Sequence, residues 1–244
     1  MNIANAQQAA RHESAHAVAL AVRTRTLTES IYVGCKPDFT RAAGINGNSK
    51  IPFQVGSAAD WIIYNLAGHA ADTLFDAAGA NRGGALRDDI VAEKILRSTW
   101  QPHEWDVVLT DIDAQTASLV LNHRACIEEL ATAILAEPPR TAVVLGEERH
   151  IYKLGADKIE EILTKHRLQT PRRFGRDYTD DQFTGLLERH ALSIRVGETS
   201  PILAAEYYNH RRFAEAKRRD TLELLDHRMW VNYYGNARVE ILEW

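Results

Sequence analysis

Three residues near the start of the chain have the types and the spacing of a metal-dependent hydrolase. His12, Glu13 and His16 form an H-E-x-x-H pattern within 5–22, a stretch rich in alanine that contains neither glycine nor proline. That composition predicts a helix, and a helix places residues four apart on one face. Two imidazoles there can bind one zinc ion, while Glu13 can take a proton from an attacking water. The alternative is a solvent-exposed helix that carries two histidines and no metal.

A catalytic zinc ion needs a third protein ligand and keeps its fourth position for water or substrate. The metzincin pattern H-E-x-x-H-x-x-G-x-x-H does not occur, because His16 is followed by AVALAV. Other divalent metals accept similar ligands, so the residues favour zinc without fixing the metal. On chemistry alone, the candidates for the third ligand are His69, His103, His123, Asp72, Asp88 and Asp89.

The elements around this motif are predicted to be mainly helical. A short strand is expected at Ser30 to Val33 and a second at about 42–46, inside a stretch rich in glycine and proline. A glycine-rich loop is expected at 77–86, followed by a helix that the two acidic residues Asp88 and Asp89 open. The other helices are predicted at about 58–76 with Ser57 as N-cap, at about 111–136, and at about 155–167.

Composition excludes several classes of protein. The 244 residues are 45% hydrophobic and 25% charged, which is ordinary for a globular chain and excludes global disorder. The net charge of -4 gives no electrostatic footprint for nucleic acid. Two cysteines, Cys35 and Cys126, are too few for a disulfide framework and are interpreted as packing residues. The sequence contains no long apolar run and its start lacks the features of a signal peptide, so a cytoplasmic location is expected.

Several stretches resemble, in order and spacing, the zinc peptidase domain of FtsH-type (M41) metallopeptidases. The motif region resembles that family's HEAGHA helix, LAGHAAD resembles its GGRAAEE helix, and RDDIVA resembles its S-N-D-[LI]-x-x-A segment. The long helix and the closing helix of the family also have counterparts. The resemblance covers about residues 1–165, and its stretches are 10–18, 66–72, 87–92, 111–137 and 158–163.

The resemblance implies a complete catalytic set. In that family the third zinc ligand is the Asp of the N-D-[LI] triplet, which matches Asp89 because Asp89 precedes an isoleucine. The resemblance thus implies His12, His16 and Asp89 as ligands of one Zn²⁺ and Glu13 as the general base.

Two further acidic residues receive supporting roles from the same resemblance. Asp88 would be a helix N-cap or a residue that contacts the ligands without binding the metal itself. Asp72 stands where the family has a glutamate and would orient a zinc-binding histidine.

The expected architecture is a mainly α metallopeptidase domain, 1–167, with a small sheet of two or three strands beside the zinc helix. A linker at 168–177 leads to a helical C-terminal extension, 178–244, of unknown role. Unlike FtsH-type proteases, this sequence shows no membrane helix and no AAA ATPase module, since no G-x-x-x-x-G-K-[ST] pattern occurs. A stand-alone peptidase domain without an ATP site is expected, with the zinc helix at its start.

The expected function is a zinc endopeptidase that cleaves flexible or partner-delivered protein substrates. A substrate peptide could dock as an added strand along Ile31–Val33 or Ala42–Asn46. The resemblance also leaves self-association open, because the family's peptidase domains form rings, although the motor that accompanies those rings is missing here. Two alternatives remain open: a non-catalytic zinc-containing binding module, and a regulatory protease whose C-terminal region binds nucleic acid or a protein partner. The mixed charges of 165–244 do not favour nucleic acid.

Overall fold

Six α-helices and six strands make up the part of the chain that the computed structural model describes. That part comprises residues 5–46, 56–75, 82–144, 146–170, 172–174 and the single position 184. The helices are α1 (Ala6–Thr24), α2 (Ala58–Phe75), α3 (Arg82–Thr99), α4 (Trp105–Asn122), α5 (Arg124–Ala136) and α6 (Ala156–Lys165), with a short 3₁₀ turn at Pro102–Glu104. The strands are β1 (Thr26–Thr28), β2 (Ser30–Cys35), β3 (Ala43–Asn46), β4 (Arg140–Val144), β5 (Glu147–Gly155) and β6 (Arg172–Phe174).

Helix α1 forms the centre of the fold. Asn5 caps its start by accepting a hydrogen bond from the Gln8 amide at 2.8 Å, and Arg25 ends it in a left-handed conformation. Its many alanines let other elements approach closely, and α2, α5 and the sheet all pack against it. Most of its side chains are consequently buried. The alternative of a solvent-exposed helix is therefore wrong, because His12 and His16 lie in the interior.

Strands β3, β2, β5 and β4, in that order, form an antiparallel sheet. Ile31, Val33 and Cys35 face the helices, so one face of the sheet closes the core over α1. Separately, β1 and β6 form a parallel pair that joins Thr26 to Arg172. Four strands in the sheet exceed the predicted two or three, because the segment from Arg140 to Gly155 contributes β4 and β5.

The elements differ from expectation at three further places. Helix α3 begins at Arg82, so its first turns occupy part of the predicted loop at 77–86. The predicted long helix is two helices, α4 and α5, separated at His123. Part of the predicted linker, 172–174, is strand β6. By contrast, Ser57 caps α2 as predicted, since its hydroxyl accepts from the Asp60 amide at 3.2 Å.

The mainly α class with a small β-sheet is confirmed. Both cysteines are buried and carry no disulfide, as expected of packing residues. Among the described helices, none combines the length and the apolar character that a membrane crossing requires. The predicted helical extension, 178–244, lies outside the described residues apart from position 184.

Candidate metal centre

The two histidines of the motif project from α1 into one site. His12 and His16 stand one helical turn apart, and their ring centroids are 4.8 Å from each other. Their side chains are 11% and 5% exposed. Buried imidazoles must be satisfied by hydrogen bonds or by a metal, so the partners of each ring nitrogen decide what the site can hold.

The Nδ1 atom of each imidazole is oriented by α2. His12 Nδ1 lies 2.9 Å from Oδ2 of Asp72, which is itself buried. His16 Nδ1 donates to the main-chain carbonyl of Tyr64 at 2.7 Å. Such contacts fix the tautomer and the ring plane of a metal-binding histidine. They leave both Nε2 atoms directed at the same point, and the contact of Asp72 with His12 is the kind that its predicted orienting role requires.

Asp88 of α3 completes the cluster. Its Oδ2 atom lies 3.2 Å from His12 Nε2 and 3.4 Å from His16 Nε2. Two atoms that each bind a tetrahedral zinc ion at ~2.0 Å are roughly 3.3 Å apart, so both distances match the edges of such a site. Together these residues form the one group of three potential ligands found among the described residues, with all ligand atoms within 4.8 Å of one another.

The protons of this cluster also point to a cation. The carbonyl of Tyr64 can only accept, so the proton of a neutral His16 lies on Nδ1 and the Nε2 lone pair faces Asp88. His12 lies between two carboxylates, those of Asp72 and Asp88, in the same way. Neutral imidazoles would therefore direct lone pairs at an anionic oxygen. Either the cluster carries extra protons, on the rings or on a carboxylate, or a metal ion occupies the centre.

The directions of the pKa shifts in this cluster also favour a cation at its centre. Burial alone lowers the pKa of His12, but the charge of Asp72 and hydrogen bonds to Asp72 and Asp88 outweigh it and raise the pKa well above 6.5. The pKa of His16 is also raised, because hydrogen bonding to Asp88 and its charge overcome the cost of burial. Burial opposes ionisation of Asp88, yet the two imidazoles hold its pKa well below the usual range. The site thus strongly favours positive charge at its centre.

In the structure it is Asp88, and not the Asp89 implied by the resemblance, that lies with the two Nε2 atoms. Asp89 is fully buried and does not belong to the cluster. The two neighbours project about 100° apart around α3, so only one of them can face α1. Asp88 is also not the N-cap of α3, because the helix begins at Arg82.

Glu13 lies on α1 between the two histidines in sequence, but it faces strand β3. The residue is 7% exposed, and its side chain packs against the backbone of Gly44. Burial raises the pKa of Glu13 above its usual 4.5, while the charges of His16 and His12 reduce that rise. A carboxylate in this setting is a stronger base than one in water.

Two glycines make these close contacts feasible. A Cβ atom added to Gly68 on α2 would lie 2.4 Å from His12 Nε2, and one added to Gly44 on β3 would lie 2.2 Å from Glu13 Cγ. No side chain larger than hydrogen fits at either position without displacing the histidine or the glutamate. Sequence reasoning gave neither glycine a role, although a glycine inside a helix or strand is a signal of close approach.

The remaining histidine candidates lie elsewhere. His69 is buried on α2, His103 lies in the 3₁₀ turn, and His123 lies at the junction of α4 and α5. None of them belongs to the cluster.

No protein-family model matches this chain, and no curated protein matches it either. The resemblance to FtsH-type peptidases therefore has the residues of the chain as its support.

Proposed function

We propose that this protein is a zinc-dependent endopeptidase of the FtsH-like type, with His12, His16 and Asp88 as ligands and Glu13 as the general base. The observation that carries the proposal is the convergence of both Nε2 atoms on Asp88 while both Nδ1 atoms are engaged by α2. Two imidazoles and one carboxylate are an ordinary ligand set for catalytic zinc. Three protein ligands leave one position for the reacting groups.

Each residue of the site would have a separate role in peptide hydrolysis. The chemistry that a zinc ion supplies when bound is Lewis acidity, which polarises a peptide carbonyl and acidifies a water molecule. Glu13 takes the proton of the attacking water and delivers it to the amine nitrogen as the peptide bond breaks. Asp72 and the Tyr64 carbonyl hold the imidazoles in place. Asp88, at 24% exposure the most open of the three ligands, marks the side that faces solvent.

Strand β3 is the better of the two expected docking strands. The segment Ile31–Val33 belongs to β2, which pairs with β3 on one side and β5 on the other, so it has no edge to offer. Within the described sheet β3 is an outer strand, and its Gly44 touches Glu13. A peptide added along β3 would therefore run beside the general base.

Metal analysis combined with an activity assay tests the proposal. One zinc per chain is expected in the wild type, and its loss in His16→Ala. Casein cleavage is expected for the wild type, and its loss in Glu13→Gln with zinc retained. A wild-type protein that takes up no zinc when the metal is supplied would contradict the proposal at its foundation.

A non-catalytic metal-binding module is the second candidate, and it predicts a different result in the same experiment. Zinc would bind through the same three residues, but casein would survive with both the wild type and Glu13→Gln. The burial of Glu13 beside the cluster, with a glycine opposite its side chain, favours the enzyme. A binding module has no need of a base at this position.

A further inference from the structure

Strand β3 meets α1 at Glu13 through two independent contacts. The backbone of Gly44 lies against the Glu13 side chain. Two residues further along, the Asn46 side-chain amide donates from Nδ2 to the main-chain carbonyl of Glu13 at 3.2 Å. One contact limits where the carboxylate can go, and the other fixes the turn of α1 from which it projects.

The Asn46 amide is held in one orientation. Its Oδ1 atom accepts a hydrogen bond from the Thr28 hydroxyl. If the amide were flipped, Oδ1 would face the Glu13 carbonyl and two acceptors would meet. The Thr28 hydroxyl also lies 3.2 Å from the Ser30 carbonyl, but its single proton goes to the closer acceptor, Asn46.

This chain of contacts is buried. Asn46 is 7% exposed and Thr28 is 1% exposed. Hydrogen bonds shielded from water are stronger than exposed ones, and their loss leaves polar groups unsatisfied. The chain runs from the end of β1, through β3, to the residue of α1 that carries the base. It therefore connects β1, β3 and α1 through hydrogen bonds that end at the Glu13 carbonyl oxygen.

We propose that Asn46, oriented by Thr28, is a positioning residue for Glu13. The inference rests on the proposed function, since positioning matters only for a group that reacts. Asn46 donates its hydrogen bond to the main-chain carbonyl of Glu13. It sets the distance between the base and the strand along which a peptide would dock. Because β3 would hold both the docked peptide and Glu13, the distance between them would be fixed, as proton transfer requires.

The test compares the kinetics of four variants on a casein-derived peptide. In Asn46→Ala we expect kcat to fall about tenfold with KM within about twofold of the wild type. Thr28→Val, which keeps the shape but removes the hydroxyl, should lower kcat by about threefold, and Thr28→Ser should restore it. Thr116→Val is the matched control, because it removes a buried hydroxyl that bonds a helix carbonyl on α4, at 2.7 Å.

Zinc stoichiometry and the visible spectrum of the cobalt-substituted protein provide a readout that does not depend on activity. Both should be unchanged in Asn46→Ala, since the contact concerns the base and leaves the ligands in place. A fall in kcat no larger than that of Thr116→Val would overturn the inference, and so would a rise in KM at constant kcat. Failure of the proposed function looks different: the wild type itself would then cleave nothing, and the positioning role would fall with it.

Discussion

Helix α1 is held from two sides, and the two sides work in different ways. On the side of α2 and α3, charged and polar groups contact the imidazoles directly: Asp72, the Tyr64 carbonyl and Asp88. On the side of β3, the contacts to Glu13 are the backbone of Gly44 and the side-chain amide of Asn46, which donates to the main-chain carbonyl of Glu13. Ligands need fixed lone pairs, whereas a base must gain and lose a proton. Under the proposed function, the helical side would control the charge at the metal, and the strand side would control the position of the base.

The largest expected effect separates the two neighbouring aspartates on the helical side. Asp88→Ala should abolish zinc binding, because it removes the oxygen that both Nε2 atoms face. Asp89→Asn should retain about one zinc per folded chain. Metal content of the monomeric fraction after gel filtration measures both. Zinc retained in Asp88→Ala and lost in Asp89→Asn would restore the assignment that the family resemblance implied.

The next effect tests whether α2 holds the His12 imidazole in the position that zinc binding requires. In Gly68→Ala the new methyl group would press on the His12 imidazole, and we expect zinc affinity to fall at least about 100-fold. Competition with a chromophoric chelator gives the affinity. Gly155→Ala is the control, because a Cβ atom there meets nothing within 4 Å. Equal affinities for the two variants would mean that α2 yields to the added methyl group.

The strand side should show the opposite pattern. Gly44→Ala would displace the Glu13 side chain, so kcat should fall about 30- to 100-fold while zinc affinity stays within about threefold of the wild type. Peptide cleavage and chelator competition on one preparation measure both quantities. Loss of zinc in this variant would break the comparison, since β3 would then be supporting the ligands as well as the base.

The smallest effect is the pH dependence of stability. In the metal-free protein the pKa values of His12 and His16 are raised. The stability they contribute is complete below the unfolded value of 6.5 and is lost as the pH rises through the folded pKa. Zinc binds neutral imidazoles, so its contribution grows over the same window.

We therefore expect zinc to raise Tm by several degrees more at about pH 8 than at about pH 6. Thermal melts with and without zinc measure this difference. His16→Ala should show no zinc-dependent shift at either pH. A larger shift at the lower pH would contradict the sign derived from the raised imidazole pKa values.

The sequence was sufficient to find the motif and insufficient to tell which aspartate faces its two histidines, and the reason is physical. His12, Glu13 and His16 belong to one helix, so their relation follows from helical geometry. Asp88 and Asp89 belong to α3, and the one that faces α1 is set by the rotation of α3 against its neighbours. That rotation results from packing between helices, which no local pattern records.

The limits on predicting the fold have the same origin. The mainly α class followed from composition and periodicity along 6–24 and 58–75. Strand β5 was missed because a strand in the middle of a sheet is defined by its partners, and β4, which pairs with β5 at the outer edge, was missed with it. Strand β5 pairs with β2, so Ser30 lies opposite Gly155. The break between α4 and α5 at His123 has neither proline nor glycine to mark it.

The pairing of β2 with β5 has a consequence for how the protein is made. Much of the cover over α1 comes from late in the chain, and Arg11 bonds Glu128 across 117 positions. Closing such long loops is slow, because entropy is lost before the contacts that compensate for it can form. During synthesis, His12 and His16 are therefore present long before the later residues that bury them. The cluster of His12, His16 and Asp88 could therefore be enclosed only after the ribosome has released the covering region.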